Sequence, residues 1–324
     1  LMSNRKIYMN GKFVDEADAK ISIFDSSLMF GDMVFEMTRS FNGEHFKLKE
    51  HIDRLFTGLK ILRIEIPETK QDVYDLCIET AEMNKDAFDD DDEHRLLIDV
   101  SRGVLGIYEG IDGIHQGYNL IIADFPLKWT VQGMAKLFTT GINNVITNQK
   151  VIPSHLMDPK IKNRSRLFYL MANIEASLFK GDNNWPLMLD TDGFIAEGSG
   201  DNFFIVKDNT VISPQGRNML RGISRDYIIN SLCKTLNIKA VEKNIEPYDV
   251  YEADEAFICA TPFCMLPVTS LNSLKIGDGK PGETFSALIN LWSKNTGVDI
   301  IKQIREWNTS VESIKAKVTP YKFK

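Results

Sequence analysis

Residues 187–214 read LMLDTDGFIAEGSGDNFFIVKDNTVISP, and this stretch decides the fold. Its apolar runs reverse at Asp192-Gly193 and again at Asp208-Asn209, and such dipeptides between strand-like runs are typical of β-hairpins. The pattern also occurs earlier, at Asn10-Gly11 and Asn42-Gly43. Helical patterns lie in separate blocks rather than between successive strands. The sequence therefore predicts an α+β fold and not a doubly wound parallel sheet.

The length and the linker pattern predict two domains. A chain of 324 residues suggests roughly two domains of about 150 residues each. The stretch 126–135 contains both proline and glycine and has the character of a linker. We therefore expect an N-terminal α+β domain over residues 1–130, a larger C-terminal α/β-barrel-like domain over 131–298, and an extension over 299–324.

Apolar spacing predicts the main helices. Leucine, isoleucine and valine side chains recur at three- and four-residue intervals in several segments, which indicates amphipathic helices. A segment at 136–150 has the character of strands instead. The helices are expected at about 49–63, 70–84, 165–180 and 223–236, and from Pro281 through Trp292.

The composition excludes several classes of protein. The formal charge of −7 argues against a broad nucleic-acid surface, because phosphate binding needs clustered lysine and arginine. No run approaches the roughly 18 apolar residues of a membrane span. The five histidines show no HExxH or HxxxH spacing, so we expect no metal site. The four cysteines lack CxxC spacing and are too few for a disulfide scaffold, which favours a reducing cytoplasm.

Four residues, each in a short motif, are candidates for chemistry. Lys162 comes just before a predicted helix in KIKNRSRLFYLMANIEA, and Glu197 stands at a strand end in AEGSGDNFF. Gly222, in LRGISRD, turns the chain into a helix, and Arg54, in EHIDRL, lies on the first long helix. Singly, each has an ordinary explanation as a solvated lysine, a strand-end carboxylate, a turn glycine or a helix-surface arginine.

Together these residues suit a phosphorylated aldehyde cofactor. A lysine amine condenses with an aldehyde to form a Schiff base. A carboxylate beside a pyridine nitrogen keeps that nitrogen protonated, so the ring can accept electrons. The N–H groups at a helix N-terminus bind phosphate, and an arginine adds a charge-assisted contact.

In this order, the motifs resemble those of a known family. KEHIDRL, then a lysine 14 residues before the alanine of IEA, then EGSGDNFF, LRGISRD and ADEAFICATP are similar to the fold-type IV pyridoxal-phosphate enzymes, the class IV aminotransferases. The resemblance covers residues 6–295. It implies a two-domain α+β fold of the D-amino-acid aminotransferase type, a homodimer, and pyridoxal 5'-phosphate between the domains.

The resemblance also implies roles for particular residues. Lys162 matches the lysine that bonds to the cofactor and carries the substrate proton. Lys160 is the nearby rival, but its spacing to Ala176 is two residues too long. Glu197 matches the carboxylate at the ring nitrogen. The phosphate-binding positions are matched by Arg54, Ile223, Ser224 and Thr261.

Substrate-binding residues are less sharply defined by the motifs. Phe30 and Phe35 of SLMFGDMVFE, with Phe263, suggest an apolar pocket, although ordinary core packing explains them equally well. Arg95, at the start of HRLLIDVSRG, is a candidate for the substrate carboxylate, with an exposed loop arginine as the alternative. Arg39 is a second candidate, since strand alternation places it on the face of Phe35. Pro262 stands where branched-chain enzymes offer N–H groups, and proline has none.

The resemblance favours transamination of branched-chain L-amino acids, with 2-oxoglutarate as the amino acceptor. An aminodeoxychorismate lyase on the same scaffold is the first alternative. A D-amino-acid aminotransferase is the second, although the arginine and histidine that such enzymes carry after TRG have no counterpart in SRGVLGIYEG. A non-catalytic relative that keeps only the fold is a third. We expect small-molecule substrates and neither nucleic-acid nor membrane partners.

Overall fold

A computed structural model describes residues 5–181 and 183–309. By the clustering of its contacts the chain divides into two units. The first consists of residues 5–127 and 161–166, and the second of residues 128–160 and 167–309. The sequence prediction put the boundary near residue 130.

The segment Ile161–Arg166 returns to the first unit, whereas the sequence prediction assigned it to the second. It runs beside the strand Met33–Met37, where Val34 and Asn163 form an isolated β-bridge. The backbone N–H of Phe35 donates to the carbonyl of Lys162 at 2.9 Å. Such pairing joins residues more than a hundred positions apart in the chain, which local sequence patterns do not reveal.

The first unit is organised around an antiparallel sheet with the strand order β2-β1-β7-β6-β3. The short strands β4 and β5 form a separate hairpin. The bounds of its strands and helices are β1 (Lys6–Met9), β2 (Lys12–Asp15), α1 (Ser26–Phe30), β3 (Met33–Met37), β4 (Ser40–Phe41), β5 (Glu44–His45), α2 (Leu48–Leu62), α3 (Lys70–Asn84), β6 (His94–Ser101) and β7 (Asn119–Pro126).

Turn chemistry sets the hairpins of this unit. Asn10 and Gly11 have φ values of 51° and 86°, and Asn42 and Gly43 have values of 52° and 78°. Two successive residues with positive φ match the twist of a two-residue β-hairpin, and asparagine and glycine adopt this conformation at low cost. Both hairpins predicted from these dipeptides are confirmed.

The helices α2 and α3 cover one face of the sheet, and both were predicted within one residue of their observed bounds. The inner face of α2 is apolar and packs in a core with strand residues such as Leu96 and Ile98. Thr69 and Asp72 form a capping box at the start of α3, which satisfies backbone N–H groups of the first turn. The α2 residues in this core are Leu48, Ile52, Leu55 and Leu59.

The second unit contains a larger sheet with the order β10-β9-β8-β15-β14-β11-β12-β13. An additional pairing of β10 with β11 closes six of these strands into a ring. Its elements are α4 (Lys128–Val131), α5 (Leu137–Thr140), β8 (Ile142–Ile146), α6 (Leu167–Ser177), β9 (Asn184–Leu189), β10 (Ile195–Glu197), β11 (Asn202–Lys207), β12 (Thr210–Ser213), α7 (Ile223–Tyr227), α8 (Cys233–Thr235), β13 (Lys239–Glu242), α9 (Pro247–Tyr251), β14 (Glu255–Ala260), β15 (Cys264–Leu271), β16 (Leu274–Lys275), α10 (Glu283–Thr296) and α11 (Ile300–Trp307).

Three predictions for this unit need correction. The expected strands at 136–150 begin instead with the helix α5, because a short apolar run does not distinguish a buried helix from a strand. The helix expected over 165–180 is the shorter α6. The segment 299–324 was left without secondary structure, but Asp299 caps α11 by accepting from the N–H of Lys302. The remainder of that predicted extension, 310–324, lies outside the described residues.

A histidine without hydrogen bonds gives the first unit a pH-dependent stability. Both ring nitrogens of His45 are buried and have no partner among the described residues. The ring lies 5.9 Å from that of His94, which is bonded to Asp124 at 2.7 Å. Burial, with a contribution from His94, lowers the pKa of His45 to about 4. The neutral form is therefore the form that the fold accepts.

We expect His45→Phe to reduce the loss of stability in acid. Because the pKa is lower in the folded than in the unfolded chain, His45 destabilises the protein as the pH falls below about 6.5. At about pH 5 this amounts to about 2 kcal/mol, measured as the difference in the free energy of unfolding between the parent and the variant. His155→Phe, at an exposed position, is the matched control. An equal acid dependence in all three proteins would contradict this assignment.

Candidate active site

Lys162 lies over an aromatic ring in the first unit. Its Nζ is 4.7 Å from the ring centroid of Phe35, which is itself buried. The neighbouring Asn163 fixes the turn, because its Oδ1 accepts from the backbone N–H of Ser165 at 2.9 Å. Gly31 is needed where α1 meets this segment, since a Cβ there would lie 2.5 Å from Ser165 Oγ. The sheet and the turn together hold the lysine in place.

Two further cations share the ring of Phe35. The guanidinium carbon of Arg164 lies 3.7 Å from the ring centroid and that of Arg166 lies 5.3 Å from it. Arg164 is paired with Asp99 at 2.8 Å. Burial raises the pKa of Asp99, and Arg164 opposes this effect. Positive charge is thus concentrated around Lys162, which suits an anionic ligand.

Arg54 is oriented by a buried carboxylate. Its Nε and Nη2 donate to the two oxygens of Glu36 at 2.6 and 2.8 Å, and His51 Nδ1 lies 2.6 Å from the same carboxylate. Burial alone would raise the pKa of Glu36, but the two basic neighbours outweigh it and lower the pKa to about 2. Glu36 therefore stays ionised and fixes the guanidinium in a bidentate pair.

Two buried arginines of the first unit influence each other electrostatically. Arg39 is buried with its guanidinium carbon 3.8 Å from the ring centroid of Phe41. Arg95 is also buried, and its Nε and Nη1 have no hydrogen-bond partner among the described residues. Burial, together with the nearby Arg39 guanidinium, lowers the pKa of Arg95 to about 10. Phe30, by contrast, is exposed on α1.

In the second unit, Glu197 ends β10 as a buried carboxylate. The hydroxyl of Tyr169, on α6, donates to its Oε1 at 2.6 Å, and the backbone N–H of Leu220 donates to its Oε2 at 3.1 Å. The two donors hold the carboxylate in one orientation.

The glycine turn before α7 packs closely against the side chain of Asn202. A Cβ on Gly222 would lie 2.1 Å from Asn202 Oδ1, so glycine is required there. Asn202 Nδ2 donates to the carbonyl of Leu220 at 2.9 Å, which fixes the turn. Ser224 is buried in the first turn of α7, and Thr261 follows β14. Neither hydroxyl has a hydrogen-bond partner in the part of the chain that the structure describes.

The remaining candidate binding residues of the second unit differ in their burial. Ile223 is the first residue of α7, so its backbone N–H is at the helix start. Phe263 is buried with its ring 5.8 Å from that of Trp185, in an edge-to-face contact. Pro262 is half-buried in the turn between β14 and β15.

Sequence reasoning missed several residues of this site. Tyr169 lies within KIKNRSRLFYLMANIEA without an assigned role, and its bond to Glu197 depends on the packing of α6. Arg164, Asp99 and His51 lie within motifs quoted from the sequence, but the sequence analysis gave them no role. In the described residues, no group of three His, Cys, Asp or Glu side chains could hold a metal ion, and no helix is long and apolar enough to span a membrane.

The chain belongs to the class IV aminotransferases. Residues 33–271 match the model of the family described as amino-transferase class IV. A protein of Methanocaldococcus jannaschii, provisionally named a branched-chain-amino-acid aminotransferase, is 37% identical over 281 residues, which cover 86% of this chain and 92% of that protein. The branched-chain-amino-acid aminotransferase of Escherichia coli K12 is 29% identical over 286 residues, covering 85% of this chain and 88% of its own.

Solved structures agree with this membership. A crystal structure of the E. coli branched-chain amino acid aminotransferase has a TM-score of 0.79 at 26% identity, covering 90% of this chain and 94% of its own. The branched-chain aminotransferase of the thermophilic archaeon Thermoproteus uzoniensis, with norvaline, has a TM-score of 0.76 at 25% identity, with coverages of 94% and 97%. The predicted fold-type IV class is confirmed, and the protein is an aminotransferase that uses pyridoxal phosphate.

The described residues fit this cofactor. A phosphate needs N–H and O–H donors, and the helix start at Ile223 with the hydroxyls of Ser224 and Thr261 offers them. A protonated ring nitrogen needs an acceptor, and Glu197 is a buried carboxylate that offers one. An aldehyde needs an amine, and Lys162 offers one at a fixed position.

Proposed function

We propose that this enzyme transfers the amino group of branched-chain L-amino acids to 2-oxoglutarate. The observation that carries the proposal is the match, over most of the chain, to aminotransferases named for these substrates. The residues that the reaction needs occur along that match in the order expected for the family. Loss of the absorbance of the lysine-bound cofactor, on mixing with a panel of L- and D-amino acids, tests the donor. A response to D-amino acids alone, or release of pyruvate without an acceptor, would contradict the proposal.

Six residues bind the cofactor in this proposal. Lys162 bonds to its aldehyde carbon, and Glu197 accepts a hydrogen bond from its ring nitrogen. When bound, pyridoxal phosphate supplies an aldehyde that receives the amino group and a ring that withdraws electrons from the substrate Cα. The phosphate is held by Arg54, Ile223, Ser224 and Thr261.

Lys162 acts twice in the reaction. Its Nζ would hold the aldehyde of the cofactor, and as a free amine it would remove the proton from the substrate Cα. The contact with the ring of Phe35 and the flanking Asn163 turn restrict where this amine moves. Glu197 contributes throughout by keeping a negative charge beside the ring nitrogen, in the orientation that Tyr169 and Leu220 impose.

Arg95 and Arg39 bind a carboxylate of the substrate. Arg95 is buried and feels the positive charge of Arg39, and a bound anion offsets such a charge. The buried Nε and Nη1 of Arg95 supply unused donors. Phe30, Phe35, Pro262 and Phe263 are the candidates in this proposal for contact with the apolar side chains of leucine, isoleucine and valine.

We expect Arg95→Met to raise the KM for 2-oxoglutarate. Loss of a charge-assisted hydrogen bond costs about 1.5–3 kcal/mol, or roughly 10- to 100-fold. The KM for leucine should rise by a similar factor, because leucine presents its own carboxylate to the same arginine. Steady-state kinetics with each substrate varied in turn measure both effects. Arg217→Met, at an exposed position, is the control, and an unchanged KM in Arg95→Met would refute the role.

The assembly and the location are part of the same proposal. Exposed apolar side chains occur on α1, at Leu28 and Met29, and on α6, at Leu167, and exposed apolar patches often mark contacts between protein chains. A homodimer with two-fold symmetry is the commonest arrangement, and light scattering on the purified protein tests it.

The cysteines are all free and buried, which agrees with residence in a reducing cytoplasm.

A further inference from the structure

Asp201 has a buried carboxyl group that the proposed reaction does not use. It follows the Gly-Ser-Gly turn after Glu197, and its side chain folds back over that turn. A Cβ on Gly198 would lie 2.4 Å from each carboxyl oxygen of Asp201. The residue is only 7% exposed, and its Oδ1 has no hydrogen-bond partner among the described residues. Water and donors therefore do little to stabilise a negative charge there.

No described cation pairs with this carboxyl. Glu197 and Cys259 are the titratable groups that face it, and the backbone N–H of Gly200 is its hydrogen-bond donor. Arg225 on α7 influences Cys259, but its guanidinium is bound to Ser213 Oγ at 2.8 Å and to Glu242 at 2.9 Å.

Two buried carboxyl groups that interact, such as those of Asp201 and Glu197, do not both ionise easily. Glu197 has the two fixed donors, Tyr169 and Leu220, and these favour its ionised form. Burial, and then the charge of Glu197, raise the pKa of Asp201 to about 8. Burial also raises the pKa of Cys259, so that thiol adds no charge at neutral pH.

We propose that Asp201 is a protonated carboxylic acid at neutral pH. Of the three neighbouring groups Asp201, Glu197 and Cys259, only Glu197 then has a negative charge. That single charge balances one protonated ring nitrogen, whereas two ionised carboxylates would leave an excess charge buried. The significance of this balance rests on the proposed function. The protonation itself does not, because it follows from the surroundings of Asp201 alone. Asp201 is thus a positioning residue that sets the charge of the site.

The proposal predicts a pH dependence of stability that Asp201→Asn abolishes. A carboxyl that keeps its proton only in the folded chain destabilises the fold as the pH rises between the two pKa values. From about pH 5 to about pH 7, the unfolding equilibrium constant of the parent should rise roughly 100-fold relative to that of Asp201→Asn. Denaturant titrations of the full-length enzyme at each pH measure the ratio. Asp192→Asn, in an exposed turn, is the control and should show no such trend.

A second measurement keeps the proposal testable if the variant folds poorly. The parent should show an infrared carbonyl band of a protonated carboxyl group that disappears as the pH rises above about 8. The band should be absent from Asp201→Asn. A flat stability ratio with no such band would overturn the proposal. Neither readout uses an amino-acid substrate, so failure of the proposed transamination would leave both results unchanged.

Discussion

Replacing Lys162 by alanine is expected to abolish turnover. The variant lacks the amine that bonds to the cofactor and that later carries the proton from the substrate Cα. A residue made essential by covalent chemistry costs several orders of magnitude in rate when it is removed. Product formation from leucine and 2-oxoglutarate measures the loss. Borohydride reduction followed by peptide mass spectrometry should attach the cofactor to the Lys162 peptide in the parent and not in the variant.

Lys160 provides the matched control. It is two residues away, but its Nζ is bound to Asp158 at 2.7 Å and to the carbonyl of Arg217 at 3.0 Å. Lys160→Ala should therefore keep most of the activity. Near-normal turnover in Lys162→Ala, or covalent attachment at Lys160, would refute the assignment of the lysine.

The site residues were predictable where a short motif defines them. Lys162 and Gly222 precede helices, and Glu197 ends a strand before a glycine turn. Each of these boundaries has a recognisable local sequence. The turn at Asn10-Gly11 was predictable for the same reason, because positive φ angles select these residues. Features that depend on neighbouring residues in the chain can thus be predicted from the sequence.

Partners across the fold were not predictable. Tyr169 reaches Glu197 only because α6 packs near β10, and Asp201 acquires its environment from the turn and from β14. The pairing of Ile161–Arg166 with β3 likewise depends on contacts between distant segments. A single sequence does not show which distant residues are in contact, so these neighbours of the candidate site residues could be identified only from the structure.

The negative charge at Glu197 is expected to matter almost as much as the lysine. Glu197→Gln keeps the size of the side chain, and its amide oxygen still accepts from Tyr169 or from the N–H of Leu220. The cofactor should remain bound, because the groups proposed to hold its phosphate are untouched. Turnover should fall by about 100- to 1,000-fold, the typical loss when one electrostatic contact to the reacting system is removed.

Tyr169→Phe separates the charge at this position from its orientation. This variant removes one donor to Glu197 but leaves the carboxylate ionised and still bound by Leu220 at 3.1 Å. Loss of one hydrogen bond to a charged group costs about 1.5–3 kcal/mol at most, so its effect should be smaller than that of Glu197→Gln. Stopped-flow measurement of the reaction with leucine alone isolates the proton-transfer step for both variants. If Glu197→Gln reacted at the parent rate, the negative charge of the carboxylate would have no part in stabilising the electron-accepting ring.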